Sequence, residues 1–259
     1  MRAIYKRELL SYFRSPIGWV AVALYALLGG FYFGYSMSAT SSVNISEELG
    51  IIQEFFMIVI PVITMRLFSE EKKNGTDVLL YTSSVPLFKA VLGKYLAALS
   101  LFFIMLSTTI IHVVLLIALG GNVNASTLGS YISMILLGAL FIAVGIMASA
   151  VTENQIIAAV ISAAIIVFTM LLQIISSSLE GIFVSISSVF NLFQLSSETI
   201  NKAGENLAAA INWLDPISRT ASFQYGIISL SPILFCLSLI ALFLFFTYRI
   251  LEKRRWSQG

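Results

Sequence analysis

Charge is scarce in this chain. Only 11% of its 259 residues are charged, against 58% hydrophobic, whereas a soluble globular domain carries about 25% charged residues. A water-exposed protein of this composition would lack the polar surface needed to stay dispersed, so lipid has to cover it. Cysteine is nearly absent. The single Cys236 excludes an intrachain disulfide, and its apolar surroundings suit a packed small hydrophobe. Histidine is equally rare: His112 stands alone in an apolar run, where a packing histidine and a proton relay are both open readings. The chain has no G-x-x-x-x-G-K-[ST], no His-Glu-x-x-His and no cysteine cluster. If ATP drives it, a separate chain must bind the nucleotide. No clustered nucleophile, acid and base emerges, so no catalytic residue is assigned. Few ionisable groups fall inside the apolar runs, which weighs against an ion-coupled carrier.

What is present is a series of long apolar runs. Leu101–Leu119 reads LFFIMLSTTIIHVVLLIAL without the alternation that a transmembrane barrel strand would show. Runs of about 20 such residues fit helices crossing a hydrocarbon core of about 30 Å. The predicted fold class is therefore an all-α polytopic membrane protein forming one domain over residues 1–259. Six spans are expected, at Ile17–Met37, Ile51–Phe68, Leu87–Leu119, Leu128–Ala150, Gln155–Ile175 and Leu230–Tyr248. Placing the N-terminus inside puts every basic residue except Lys202 and Arg219 on the cytoplasmic side, while the acids divide almost evenly. That bias is what the positive-inside rule expects, and it supports an even number of spans with both termini in the cytoplasm. The net charge of +2 reflects this orientation and calls for no nucleic-acid partner. The first span carries no small-residue cleavage site, so it is expected to be retained.

The segments between the spans are short, with two exceptions. Residues 1–15 form an interfacial elbow, in which Ile4, Tyr5, Leu9, Tyr12 and Phe13 share one face and Arg2, Lys6 and Arg14 lie mostly elsewhere; a plain extension of the first span is the alternative. Pro16 then suits the first position of a new helix. Ser38–Gly50 reads as a short polar outer loop. Pro61 is expected to kink the second span. Within the fourth span, Gly138, Ala139, Ala143, Gly145 and Ala148 permit close approach, either inside one bundle or at a seam between two copies. Thr152 and Gln155 have capping-box spacing for the fifth span, and Glu153 between them could also contact a partner. The outer segment 176–229 is too apolar for a linker. One or two short re-entrant helices dipping into the outer leaflet are predicted there, ending at Asp215-Pro216, with Trp213 and Tyr225 at headgroup level. A full extra span at Gly181–Leu195 is the competing reading.

The second exception is the charged insert MRLFSEEKKNGTDVLLYTSSVPLFKAVLGK, residues 65–94. Arg66–Asn74 extends the second span beyond lipid, and Gly75 breaks it. Thr76 can cap a brief helix from Asp77 through about Thr82 that presents Val78, Leu79, Leu80 and Tyr81. Ser83-Ser84-Val85-Pro86 turns the chain into the third span, and Lys89 and Lys94 are expected to snorkel to the interface. Together with the YKRELLSYFRSP start, the MRLFSEEKKNGTDVLLYTSSVP segment resembles the permeases of type-2 ABC exporters, nearest to the branch of the gliding-motility and nitrous-oxide-reductase-maturation permeases. The likeness extends through the six spans and the basic tail; the family's Ser-Pro turn is here Ser83-Ser84-Val85-Pro86, a slight variation.

That resemblance implies a membrane subunit of an ATP-driven exporter in a bacterial or archaeal cytoplasmic membrane. It implies two ATP-binding subunits that hold ATP and Mg, with no cofactor in this chain. It further implies a second permease copy or a related permease, surrounding lipids and, in some members of the branch, an auxiliary periplasmic or membrane protein. The residues at 69–86 would be the coupling segment, with Glu70, Glu71, Gly75, Thr76, Asp77, Val78, Leu79, Leu80, Tyr81 and Thr82 contacting the ATPase. Tyr5, Lys6, Arg7, Leu9 and Phe13 would belong to the bracing elbow. A structural or signalling anchor for an ATPase is the alternative function, since it needs the same docking surface but no pathway.

Overall fold

The computed structural model describes residues 1–39, 43–78, 85–189 and 197–257. Among them every regular element is helical: α1 Arg2–Arg14, α2 Pro16–Ala39, α3 Ile45–Glu54, α4 Phe56–Thr64, α5 Arg66–Lys73, α6 Leu87–Ala118, α7 Ala125–Val151, α8 Gln155–Val189, α9 Ser197–Asn212, α10 Pro216–Thr220, a 3-10 turn Ala221–Tyr225 and α11 Leu230–Ser257. By length and hydropathy α2, α6, α7, α11 and the Gln155–Leu172 part of α8 can each cross a membrane. The bent pair of α3 with α4–α5 makes a sixth crossing if it counts as one span. The chain is thus an all-α, multi-span membrane protein.

The bundle is built around α7. In its most apolar 18-residue window 83% of residues are buried, against 28% in α2, α6 and α11. It contacts α3, α4, α5, α6, α8 and α11. Its small residues make that possible. A Cβ on Gly138 would stand 2.3 Å from the Phe102 ring, and one on Gly145 would stand 2.1 Å from Thr64 Oγ1. Phe56 packs edge-on against Phe102 and Phe141, with centroids 5.6 and 6.3 Å away. In lipid such close van der Waals packing, rather than expulsion from water, holds helices together. The glycines therefore serve packing within this chain, and their faces are already filled, which answers the alternative of a seam between copies.

The second span differs from expectation. Residues 45–50 are not loop but the start of a helix, Ile45–Glu54: Ile45, Leu49 and Ile52 are buried along one face, and the Asn44 side chain caps the start by accepting from Ser46 N at 3.0 Å. The bend, 58°, falls at Phe55 and not at Pro61. Phe55 N closes α3 with a tight bond to Ile52 O at 3.1 Å, and Ile58 N and Val59 N then restart a helix from Phe55 O. Pro61 sits inside α4. Four residues later, at Met65, α4 passes into α5. There Ser149 Oγ of α7 accepts from Phe68 N and Ser69 N at 2.9 and 3.1 Å and donates to Met65 O at 2.8 Å. It satisfies donors in the first turn of α5, for which Met65 provides no side-chain cap.

The outer segment also differs. α8 does not end at 175 but continues to Val189, so the 181–189 stretch extends the fifth helix and is no separate span; residues 190–196 lie outside the described residues. α9 folds back along α8, with Gly204 so close that an added Cβ would stand 2.8 Å from Val184 Cγ2. Asp215 does not merely stop a helix. Its carboxylate caps α10, accepting from Ile217 N and Ser218 N at 2.9 and 3.1 Å. Trp213 and Tyr225 are exposed, and the Arg219 guanidinium stacks on Trp213, 4.5 Å from its centroid. At the opposite turn Asn154, not Thr152, caps α8: Asn154 Oδ1 accepts from Ile156 N at 2.9 Å, while the Thr152 hydroxyl accepts from Asn154 N. The cap thus lies immediately before the first helical residue, Gln155, where its oxygen reaches the free amides.

Candidate functional site

The end of the bundle that carries α1, α5 and the tail of α11 concentrates the charges. α1 docks on α6 and α2 through its apolar side. Tyr5 OH bonds Ser100 Oγ at 2.9 Å, Ile4 sits against Gly93, and Phe13 meets Trp19 edge-on at 5.4 Å. Buried Tyr12 donates to Ile63 O at 2.6 Å, while Arg66 lies over its ring and donates to Ser15 and Ser11. Burial pushes the Tyr12 phenol up, keeping it a neutral donor. Leu9 is half-buried and Lys6 is exposed.

At the centre of this end lies a four-residue ion network. Lys94 of α6 is 1% exposed, so it does not snorkel to the interface. Its ammonium instead reaches Glu8 Oε1 of α1 and Glu71 Oε1 of α5, each at 3.0 Å, and donates to Leu67 O at 2.6 Å. Arg7 closes the ring, with Nη2 2.6 Å from Glu8 and 2.5 Å from Glu71. An ammonium buried so deeply would be very costly alone, and two carboxylates with one carbonyl offset that cost. Burial pushes the Glu8 carboxyl up, but Lys94 and Arg7 outweigh it and hold it below the ordinary carboxylate range. Three elements distant in sequence are thereby tied into one body. They line a cleft of about 260 Å³ together with Ser11, Arg66, Glu70, Asn74 and Thr76.

A second set of contacts braces the same end. Lys72 donates to Ala150 O, placing a cation at the negative C-terminal end of α7. Arg254 of α11 lies 3.1 Å from Asp77 and 2.8 Å from Glu153. The α5–α6 connection, the α7–α8 turn and α11 are thus joined through one guanidinium.

The expected coupling residues distribute unevenly around this frame. Glu70 is exposed. Glu71 is engaged in the network, and Asp77 is engaged with Arg254. Gly75 adopts φ 67°, the left-handed turn that ends α5. The Thr76 hydroxyl donates back to Glu71 O at 3.3 Å. Val78 is 49% exposed. Leu79, Leu80, Tyr81, Thr82 and the Ser83-Ser84 part of the following turn lie outside the described residues. Sequence reasoning missed Glu8, Lys94, Lys72 and Arg254 as structural partners. One signal was available: an apolar helix holding Lys94 several residues past its start needs an acid nearby, and the elbow's Glu8 shares the face of Tyr5 and Tyr12 at helical spacing.

A different polar pair sits toward the other end. Glu48 of α3 is 0% exposed, and its Oε1 lies 2.6 Å from His112 Nδ1 of α6. Phe33 of α2 stacks on the imidazole at 4.7 Å. The histidine therefore has a specific acidic partner, one that the loop reading of 38–50 concealed.

Among the described residues no group of three or more His, Cys, Asp or Glu could hold a metal ion, and the sequence carries no catalytic motif. No curated protein matches the chain. Residues 2–256 match the family model described as ABC-2 family transporter protein. Several crossing helices, charged contacts gathered at one end and a match over nearly the whole length agree: this chain is a membrane-spanning permease of the ABC-2 transporter family.

Proposed function

We propose that the chain is the membrane subunit of an ATP-driven exporter and receives conformational work from two separate ATP-binding subunits. The observation that carries this reading is the Arg7–Glu8–Glu71–Lys94 network. Force applied to the α5–α6 connection reaches α1, α5 and α6 together, because their ends are joined by buried charge rather than by a flexible loop. Arg254 extends that body to α11 and the α7–α8 turn. The residues from Glu70 to Thr82 form the coupling segment, with exposed Glu70 and Val78 on its accessible side. α1 acts as the elbow brace in the headgroup region. ATP and Mg belong to the partner subunit. A second copy of this chain or a related permease completes the pathway, in a cytoplasmic membrane with both termini inside. The bias of basic residues toward the α1, α5 and α11 end supports that orientation. The segment beyond residue 175 shapes the exit as helices packed at the outer leaflet, and auxiliary membrane or periplasmic proteins would join there.

The test is co-purification with an ATP-binding subunit and transport in reconstituted vesicles. A Leu79→Ala, Leu80→Ala, Tyr81→Ala triple variant is expected to loosen the complex or to leave ATP hydrolysis without transport. Intact assembly and intact transport in that variant would remove the coupling assignment. ATP hydrolysis by the wild-type complex with no cargo movement would favour an anchor for an ATPase.

A further inference from the structure

α3 is an arm without a fixed elbow. It meets the rest of its span at 58° across Phe55, with neither proline nor glycine at the break. Its position therefore depends on what its own face touches. Ile45, Leu49 and Ile52 supply an apolar stripe, and Glu48 lies on the same stripe at helical spacing. The helix packs on α2, α4 and α7. The Glu48–His112 contact adds α6 to these attachments. α2 comes unusually close at this point. A Cβ on Gly29 would stand 3.2 Å from His112 Cε1, 3.2 Å from Ile52 Cδ1 and 3.3 Å from Glu48 Oε1, so the pair is walled by backbone on that side.

The chemistry of the pair is unusual for a membrane interior. A nitrogen–oxygen separation of 2.6 Å demands a proton between Nδ1 and Oε1. With one carboxylate and one imidazolium the pair is neutral overall, which is the arrangement a low-dielectric site favours. Adding a further proton leaves a net positive charge in the same site and removes the attraction between the partners. Among the described residues no second cation is paired with Glu48. Glu48 is faced by the Tyr25 phenol from α2 and the Tyr131 phenol from α7, with Tyr32 of α2 beside Glu47. Phenols remain neutral through physiological pH. Glu48 Oε2, Tyr25 OH, Ser46 Oγ, Ser130 Oγ and Ser133 Oγ are all buried without a hydrogen-bond partner. The second carboxylate oxygen of Glu48 thus has acceptor capacity unused, where a further proton can be held.

We propose that Glu48 and His112 form a proton-binding site that latches α3: the singly protonated pair holds the arm against α2 and α6, and uptake of a second proton releases it. The consequence is a membrane permease whose outer arm answers to acidity independently of nucleotide state. Protonation of the Glu48 carboxylate on acidification would free the arm to pivot about Phe55.

The experiment is hydrogen–deuterium exchange of the full chain in nanodiscs, corrected for intrinsic rates, between about pH 8 and about pH 5. Wild type should lose protection in residues 45–54 on acidification, while the buried face of α7 keeps its own. In Glu48→Gln, which has no carboxyl to take up the second proton, protection of 45–54 should no longer follow the wild-type pH dependence. Wild-type protection unchanged over the range, or the same pH dependence in Glu48→Gln, would overturn the proposal. Should that variant not fold, infrared difference spectra of wild type and His112→Gln serve instead. Wild type should show a buried carboxylic-acid carbonyl band on acidification, and His112→Gln should show it at a different pH. Absence of the band in wild type, or an identical midpoint in both, would also overturn the assignment.

Discussion

The two ends of this bundle are secured by opposite means. At the end of α1 and α5, four charges from three elements share one centre, and Arg254 and Lys72 add further ties to α11 and α7. At the other end one acid–histidine pair crosses between α3 and α6, alongside close backbone packing and neutral hydrogen bonds such as Thr109–Tyr131. A network with several opposite charges survives the gain of one proton, because one carboxylate still faces the two cations. A lone buried pair does not. The difference teaches that one end is held by redundant charge and the other by a single pair.

The comparison can be broken most forcefully at Lys94. Lys94→Ala strips Glu8 and Glu71 of the ammonium that lets them sit under the bundle, and breaking a buried ion arrangement in this way costs about 3 kcal/mol or more. A thermal unfolding midpoint close to that of wild type would mean that the base is not held by the network.

Backbone packing at the other end gives the next largest effect. A Cβ on Gly129 would stand 1.9 Å from Phe223 O, so Gly129→Ala must push the 3-10 turn off α7, an overpacking cost of about 1–3 kcal/mol. Gly30 has nothing within 4 Å of an added Cβ, and Gly30→Ala should instead stabilise α2 by about 0.5–1 kcal/mol. Equal unfolding midpoints for the two variants would contradict the packing described for α7.

Acid sharpens the contrast more gently. Glu8 is held below its ordinary value by Lys94 and Arg7 against the opposing effect of burial. A depressed carboxyl contributes stability that is complete above its unfolded value and is lost as pH falls through its folded value. Docking of α1 should therefore persist through mildly acidic pH and weaken only below the normal carboxylate range, as read by exchange protection of residues 2–14. Loss of α1 protection at the pH that releases α3 would erase the distinction between the ends.

The sequence made much of this legible, for physical reasons. Continuous apolar runs bounded by polar residues leave little freedom, so α2, α6 and α7 lie within a few residues of expectation, while α11 starts at Leu230 as expected and continues past Tyr248 to Ser257. Breaks inside a span were harder. Pro61 looked like the kink because its lost donor is visible in sequence, yet α4 accommodates it, and the bend falls at Phe55, where no residue type announces it. The acidic cluster at Glu47-Glu48 reads as loop by composition; only the spacing of Ile45, Leu49 and Ile52 reveals the helix beneath. Within the candidate site, the insert's position and its Gly75 turn were readable. The pairing of Glu8 with Lys94 was not, because it depends on two helices far apart in the chain meeting at one depth.

That separation has a consequence for how the molecule is made. Glu8 and Lys94 are 86 positions apart, and the elbow is synthesised long before α6. Until α6 has been made, Glu8 has no ammonium to meet, so α1 must wait without its buried partner. Its docking is then a late step of biogenesis, completed by the arrival of Lys94, and it marks the moment at which the newly inserted base closes.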